Sequence, residues 1–283
     1  MRRGAAAALL AAALLATAPA AQAAPKRIVA LNPFAANTVA DLGIRPVAIG
    51  QVLGGQDRLS PRLRGVRRLP LSHPNGPNME QLATLNPGLV LSSASWRRGH
   101  RAMRRLGMKV AESEPRSVHA VAAETRRIGT LVGRKGAAER LATRMERDVA
   151  SATRGIRRRP RVLLILGIGR IPYAFLRNSW GGDLVTRAGG RLLTEGLSAG
   201  DGFARISNET VVKRNPDIII AVPHGSPKDI PKLGQYLRTN PAWRGTKAAR
   251  NGRIYVSVGN SLLQPWTDVG RTIRDVRTKY LRN

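Results

Sequence analysis

One phrase occurs twice in this chain, and it limits the possible fold more than any other feature. Asn78-Met-Glu-Gln-Leu-Ala-Thr-Leu-Asn-Pro-Gly-Leu-Val-Leu91 is echoed by Ser207-Asn-Glu-Thr-Val-Val-Lys-Arg-Asn-Pro-Asp-Ile-Ile-Ile220. Glu80 falls on Glu209, Asn86-Pro87 on Asn215-Pro216, and Leu89-Val90-Leu91 on Ile218-Ile219-Ile220. Each copy reads as an N-capped short helix, a proline stop and an apolar strand. Asn78 is a good cap, and Gln81 stands where a capping box would close. Two copies of one such unit predict two related halves, and a cleft between halves is a natural place for a ligand.

Strand and helix alternate around both copies. Apolar runs at 28–31, 47–50, 89–91 and 109–111 predict strands; 36–42, 101–106 and 117–132 predict helices; 51–77 reads as a loop rich in Gly, Pro, Arg and Ser. In the second half, strands are predicted at 162–166, 218–222 and 252–257, and helices at 181–188, 233–239 and 267–280. Such alternation argues for largely parallel sheets. The longest amphipathic stretch, 137–151, carries Ala138, Leu141, Ala142, Met145 and Val149 on one stripe, and a basic segment ending at Pro160 follows it. The fold class expected is α/β, with two Rossmann-like lobes joined by a single long backbone helix and a ligand cleft between the lobes. The expected organisation is a signal peptide at 1–23, an N-terminal lobe at 24–136, a connecting helix at 137–156 and a C-terminal lobe at 157–283.

Arg2-Arg3, an Ala/Leu run at 5–16 and Ala21-Gln22-Ala23 give the signal segment its three parts. The run is too short to span a bilayer well, and no later stretch is long and apolar enough to do so. The mature chain is therefore expected to be periplasmic or secreted. There is no cysteine. That excludes disulfides, thiolate metal sites, a thiol nucleophile and a lipid-modified N-terminal cysteine. The balance of 48 Lys+Arg against 17 Asp+Glu gives a formal charge of +31. It favours anionic partners such as ferric chelates, carboxylate ligands, nucleic acid or anionic surfaces. The scatter of Arg pairs along the chain fits a compositional habit equally well.

Glu80 and Glu209 each sit in the first turn of a predicted helix, where a carboxylate gains ~0.3–1 kcal/mol from the helix dipole. That accounts for each glutamate singly. It accounts less well for a repeat that keeps glutamate while Gln81 becomes Thr210 and Leu82 becomes Val211. Two equivalent acidic points also suit the arginines of a two-fold partner. His73, His100, His119 and His224 show no metal-site spacing; His224 follows a strand and could face a cleft, although a solvated loop residue is the plainer reading. Gly167-Ile-Gly169 suggests a dinucleotide fingerprint, but the third glycine is missing and Pro172 interrupts the helix start. No nucleophile elbow, Walker sequence or paired acids in loops point to catalysis.

Taken in order, several motifs resemble a known family. They are Arg27-Ile-Val-Ala-Leu-Asn-Pro33 with Ala40-Asp-Leu-Gly-Ile44, the two copies of the repeat, Trp180-Gly-Gly-Asp-Leu-Val185 with Ala188-Gly-Gly190, and Pro241-Ala-Trp243 with Ala249-Arg-Asn-Gly-Arg-Ile-Tyr-Val256. Together they resemble substrate-binding proteins of ABC importers, in the group that carries ferric siderophores, haem and cobalamin. The resemblance covers essentially the whole mature chain. It implies a non-enzymatic monomer that takes a small iron chelate and delivers it to an ABC permease dimer with a cytoplasmic ATPase. No cofactor and no specific nucleic acid are expected. It also implies that Glu80 and Glu209 dock the lobes on permease arginines.

Cleft loops in that family follow the lobe strands. The candidates here are Phe34, Trp96, Arg97, Tyr173, Arg177, Trp180, Phe203 and Arg205: aromatics for flat contact with a macrocycle or catecholate, arginines for carboxylate or chelate oxygens. Phe203 stands where cobalamin binders carry an aromatic, but the equivalent first-lobe position holds Pro74. An anionic ferric siderophore is the first expectation, with haem close behind. The alternatives are a cobalamin binder of the same family, or a basic extracytoplasmic polyanion-binding module reusing the fold.

Overall fold

Two large sheets form, one from each half of the chain, with a long helix between them in sequence; a small two-stranded antiparallel ladder, 71–72 with 76–77, accompanies the first. The structure, a computed structural model, describes residues 27–51, 58–156, 159–225, 228–257 and 260–282. The expected signal peptide lies outside the described residues.

The first half runs β1 (Ile28–Ala30), α1 (Pro33–Asp41), β2 (Ala48–Gly50), β3 (Arg67–Leu69), β4 (Leu71–Ser72), β5 (Gly76–Pro77), α2 (Met79–Thr84), β6 (Leu89–Ser92), α3 (Arg97–Arg105), β7 (Lys109–Glu112) and α4 (Ala120–Leu131). Its sheet is wholly parallel, in the order β3-β2-β1-β6-β7. Helix α5 (Lys135–Thr153) then leads to the second half. That half contains β8 (Arg161–Ile168), β9 (Ile171–Phe175), α6 (Trp180–Arg187), β10 (Arg191–Leu192), β11 (Phe203–Arg205), α7 (Asn208–Arg214), β12 (Ile218–His224), α8 (Ile230–Arg238), α9 (Lys247–Arg250), β13 (Ile254–Val256) and α10 (Val269–Val276). Its sheet has the order β11-β9-β8-β12-β13, with β10 parallel beside β8. β12 and β13 continue parallel to β8, whereas β9 is antiparallel to β8 and β11 is antiparallel to β9.

The repeat is realised atom for atom at its caps. Asn78 Oδ1 accepts from the Gln81 amide at 3.0 Å, and Ser207 Oγ accepts from the Thr210 amide at 3.1 Å. Asn86 and Asn215 both stand at φ 42°, left-handed positions that end their helices. The cause is local: a residue before proline is driven out of the right-handed helical region, and asparagine tolerates the left-handed one. Each copy then enters the middle strand of a parallel trio, β1-β6-β7 or β8-β12-β13. A strand flanked on both sides is apolar throughout, as Leu89–Leu91 and Ile218–Ile220 are.

Alternation splits each strand between two cores. Val29 and Val90 pack in a cluster private to the first half, and Ile219 and Ala221 in one private to the second. Ile28, Ala30, Leu89 and Leu91 face the other way, as do Val162, Leu164, Ile218 and Ile220; all join one continuous cluster. The stripe of α5 supplies the middle of that cluster with Ala138, Leu141 and Met145. The halves are thus joined through shared apolar packing as well as through the chain.

Several local expectations need correction. The segment 51–77 contains an edge strand, β3, which the sequence hides because Arg67 and Arg68 are exposed and only Leu69 is buried. α3 begins at Arg97, four residues before the expected start. β9 and β11 were not expected at all: Pro172 looks like a breaker, yet it lies in β9 opposite Gly167. Gly169, at φ 58°, turns the chain between β8 and β9, so the glycine pair makes a hairpin and not a nucleotide loop.

Candidate functional site

Parallel α/β sheets place ligands outside the carboxyl ends of their strands. Those ends carry Asn32, Ser92 and Ser93 in the first half and Ile168 and His224 in the second. Contacts across the halves hold them together: Arg58 pairs with Asp268 at 2.6 Å, the Val118 amide donates to Asp183 Oδ2 at 2.7 Å, and Arg116 Nη2 donates to the Gly200 carbonyl at 2.9 Å.

The structure divides the expected ligand residues. Phe34 is fully buried, and Trp96 and Trp180 are nearly so, at 3% and 5% exposure. Trp180 is further fixed by its indole N–H, which donates to the Ser261 carbonyl at 2.8 Å. These three aromatics are core residues and present no face to a ligand; their bulk fills the space that a loop position would have left open. Arg97 is exposed but is held in a two-point ion pair with Glu112, both contacts 2.8 Å. Arg177 lies apart, on the rim of an open hollow beside Asn178, Thr194 and Ala199. Tyr173, Phe203 and Arg205 come together on strands instead of loops. Tyr173 and Arg205 are register partners, and Phe203 packs edge-on against Phe175 at 4.8 Å.

Beside them lies a surface the sequence did not single out. Ile168 is register partner to His224 on one side and to Ile171 on the other. Register partners share a sheet face. Ile168 and Ile171 are 43% and 40% exposed, unusual for isoleucine and among the largest exposed apolar side chains described. The His224 Nδ1 atom is buried with no hydrogen-bond partner. Burial and then the nearby charge of His73 hold His224 below the usual histidine range. His73 belongs to the first half, in the turn between β4 and β5, with its ring edge-on to Trp96 at 6.0 Å. The charge of a histidine in the first half is thus felt at one in the second.

A third histidine has the outline of hydrolytic machinery. His100 Nε2 lies 2.9 Å from Ser92 Oγ, and its Nδ1 lies 3.7 Å from Glu112. Ser92 has no exposed surface and His100 is 2% exposed, so no substrate can reach the hydroxyl. This trio is an internal brace. Near it, burial pushes the Glu114 carboxyl up to about 7, opposed by a hydrogen bond with Ser93. Among the described residues no group of three or more His, Asp or Glu could hold a metal ion.

Glu80 and Glu209 occupy matching places in the first turns of α2 and α7, and both are exposed. Neither forms an ion pair among the described residues. A hydrogen bond with Ser207 holds the Glu209 carboxyl below its ordinary range. Arg170, Ile171 and Arg205 line a shallow groove that reaches Glu209.

Two joined α/β halves with matching acidic helix starts have the architecture of a two-lobed binding protein. The chain belongs to the periplasmic binding protein family, whose pattern it matches over residues 28–257. A cobalamin-binding protein of Halobacterium salinarum is 27% identical over 247 residues, 85% of this chain and 65% of that protein. The high-affinity heme uptake system protein IsdE of Staphylococcus aureus is 25% identical over 190 residues, 65% of this chain and 64% of that protein. The chain thus spans just under two thirds of the length of these curated relatives. Among solved structures, an ABC transporter substrate-binding protein from Listeria monocytogenes superposes with a TM-score of 0.78 at 21% identity, over 91% of this chain and 99% of that one. Staphylococcus aureus IsdE complexed with heme gives 0.77 at 22% identity, over 90% and 99%. These structural likenesses establish the two-lobed fold. No helix among the described residues is long and apolar enough to cross a membrane.

Proposed function

We propose that this chain is the extracytoplasmic substrate-binding component of an ABC importer, which captures an iron chelate between its lobes and delivers it to a permease dimer. The observation that carries this reading is the pair Glu80 and Glu209. Each is exposed, without an ion pair among the described residues, and set by the same capped turn at the same place in a repeated unit. A carboxylate held at a helix start and left without an ion pair suits an arginine supplied from outside, and two equivalent carboxylates suit a partner with two-fold symmetry. The lobes are taken as 24–136 and 157–283, with the connecting helix at 137–156 and the mature protein a monomer. Shared packing around α5 favours limited closure over a wide hinge motion.

Relatives named for cobalamin and for heme uptake support a ligand of the metal-macrocycle or iron-chelate class. Burial of Phe34, Trp96 and Trp180 leaves Tyr173 and Phe203 as the aromatics of the candidate set that are not core, and so does not choose among macrocycles and catecholates. Charge reversal at both glutamates, Glu80→Arg with Glu209→Arg, is expected to abolish uptake in cells while leaving the affinity of the purified protein for its ligand unchanged. Lost affinity, or undiminished uptake, overturns the docking role.

A further inference from the structure

We propose that the arginine face of α3 is a membrane-contact surface, which holds this chain against the anionic phospholipid of a bilayer. It goes beyond the carrier reading and rests on it in one respect: a carrier that delivers to a permease works beside a bilayer.

The basis is a single helix. α3 is nine residues long, and five of them are arginine with no acid among them. At about 100° per residue, Arg104, Arg97, Arg101, Arg105 and Arg98 fall within an arc of roughly 120°. Gly99, His100 and Met103 occupy the opposite side and are buried. The seat is close, because a Cβ at Gly99 would collide with the Asn75 carbonyl oxygen. This fixes which side meets solvent, and all five arginines are exposed. Arg97 is held by Glu112. Arg98, Arg101, Arg104 and Arg105 form no ion pair among the described residues.

The repeat supplies a control for composition. α3 follows β6, the middle strand of the first parallel trio, and α8 follows β12, the middle strand of the second. α8 is also nine residues long, yet its cations are only Lys232 and Arg238. A habit of the whole chain predicts similar counts at equivalent places. The concentration of arginine in α3 is local.

Chemistry and position then select the occupant. Unpaired guanidinium groups on one side of a helix suit phosphate oxygens, which each group can meet with two parallel N–H bonds. Leu106 follows Arg105 at the helix end and, at 50%, is the most exposed of the large apolar side chains described. An apolar side chain beside cations is favoured at a headgroup boundary and finds no counterpart on a nucleic-acid backbone. The only aromatic ring in α3 is the buried His100, so no base can stack on this helix. Leu82 of α2 and Met103 of α3 belong to one cluster beneath one face of the first sheet. The stripe therefore lies on the same side of its lobe as α2, which carries Glu80.

The test is co-sedimentation of the purified protein with vesicles. The protein is expected to pellet with phosphatidylglycerol and phosphatidylcholine in equal parts, not with phosphatidylcholine alone, and to be released as salt rises. Arg98→Gln, Arg101→Gln, Arg104→Gln and Arg105→Gln in one protein should weaken vesicle binding more than about a hundredfold, since each cation at an anionic surface contributes about fivefold. Arg101→Gln with Arg105→Gln should weaken it about 25-fold. A reference protein with Arg140→Gln, Arg147→Gln, Lys232→Gln and Arg238→Gln loses the same charge from exposed sites elsewhere. It should bind anionic vesicles within about threefold of the wild type, because distant charges are screened. Thermal melting of each variant checks its folding. Equal losses in the two quadruple variants show that net charge alone is responsible and overturn the proposal. So does a wild-type protein that binds duplex DNA but not anionic vesicles. Neither result touches the carrier reading, which fails instead if hemin, ferric chelates and cobalamin all leave the melting temperature unchanged.

Discussion

The two lobes share a trio of parallel strands and differ in what extends it. The first adds β2 and β3, again parallel, with Arg67 and Arg68 at the edge. The second adds an antiparallel hairpin, β8–β9, and then β11. The shared part carries the features that the repeat preserves: a capped helix, an exposed glutamate, a left-handed asparagine and a buried strand. The unshared part carries the surface beside His224. A tight hairpin can project side chains past the end of a sheet, which a parallel crossover cannot do, because its return connection lies across the sheet face. The lesson is a division of labour. On the function proposed above, the duplicated geometry would serve a two-fold partner and the divergent geometry the ligand.

That comparison can be broken where it is most rigid. Leu91 and Ile220 are equivalent in the repeat, fully buried, and face the same continuous core. Leu91→Ala and Ile220→Ala should each destabilise by about 3 kcal/mol. Chemical denaturation should show one cooperative transition in both variants. Two separated transitions would mean that the lobes fold independently and that the shared cluster does not couple them.

A second measurement separates the lobes by pH. Glu114 stands two residues beyond β7 in the first lobe, just after Ser113, whose counterpart beyond β13 is Ser257. Burial raises the Glu114 carboxyl from 4.5 to about 7. The folded protein therefore holds a proton that the unfolded chain releases, and this group's stabilising effect is complete below pH 4.5 and lost as pH rises towards 7. Glu114→Gln should remove that slope and raise stability above pH 7. The side chain keeps some contact with solvent, so the gain is no more than about 3 kcal/mol and is expected to be nearer half that. Thermal melting across this range checks it, and an unchanged slope refutes the assignment.

The smallest effect sharpens the comparison within the repeat itself. Asn86→Ala and Asn215→Ala both force alanine into left-handed backbone, at about 1 kcal/mol. Asn215 Oδ1 also accepts from the Lys247 amide at 2.7 Å, a bond with no counterpart described at Asn86. Its loss should add roughly 1 kcal/mol to the second variant alone. Equal losses in the two variants would show that the Lys247 contact contributes nothing.

The sequence by itself determined the duplicated unit, its caps, the helix that joins the halves and the matched glutamates. Each of these depends on residues within a turn or two of one another: Asn78 reaches Gln81, Asn86 answers Pro87, and the stripe of α5 recurs every third or fourth residue. Only the tertiary structure decided which aromatics are core and which histidines are buried. Composition and spacing cannot tell a Trp96 that fills a lobe from one that lines a cleft, because burial depends on the neighbours that other elements bring. The buried, unpartnered Nδ1 of His224 likewise depends on elements far apart in the chain, which no local pattern encodes.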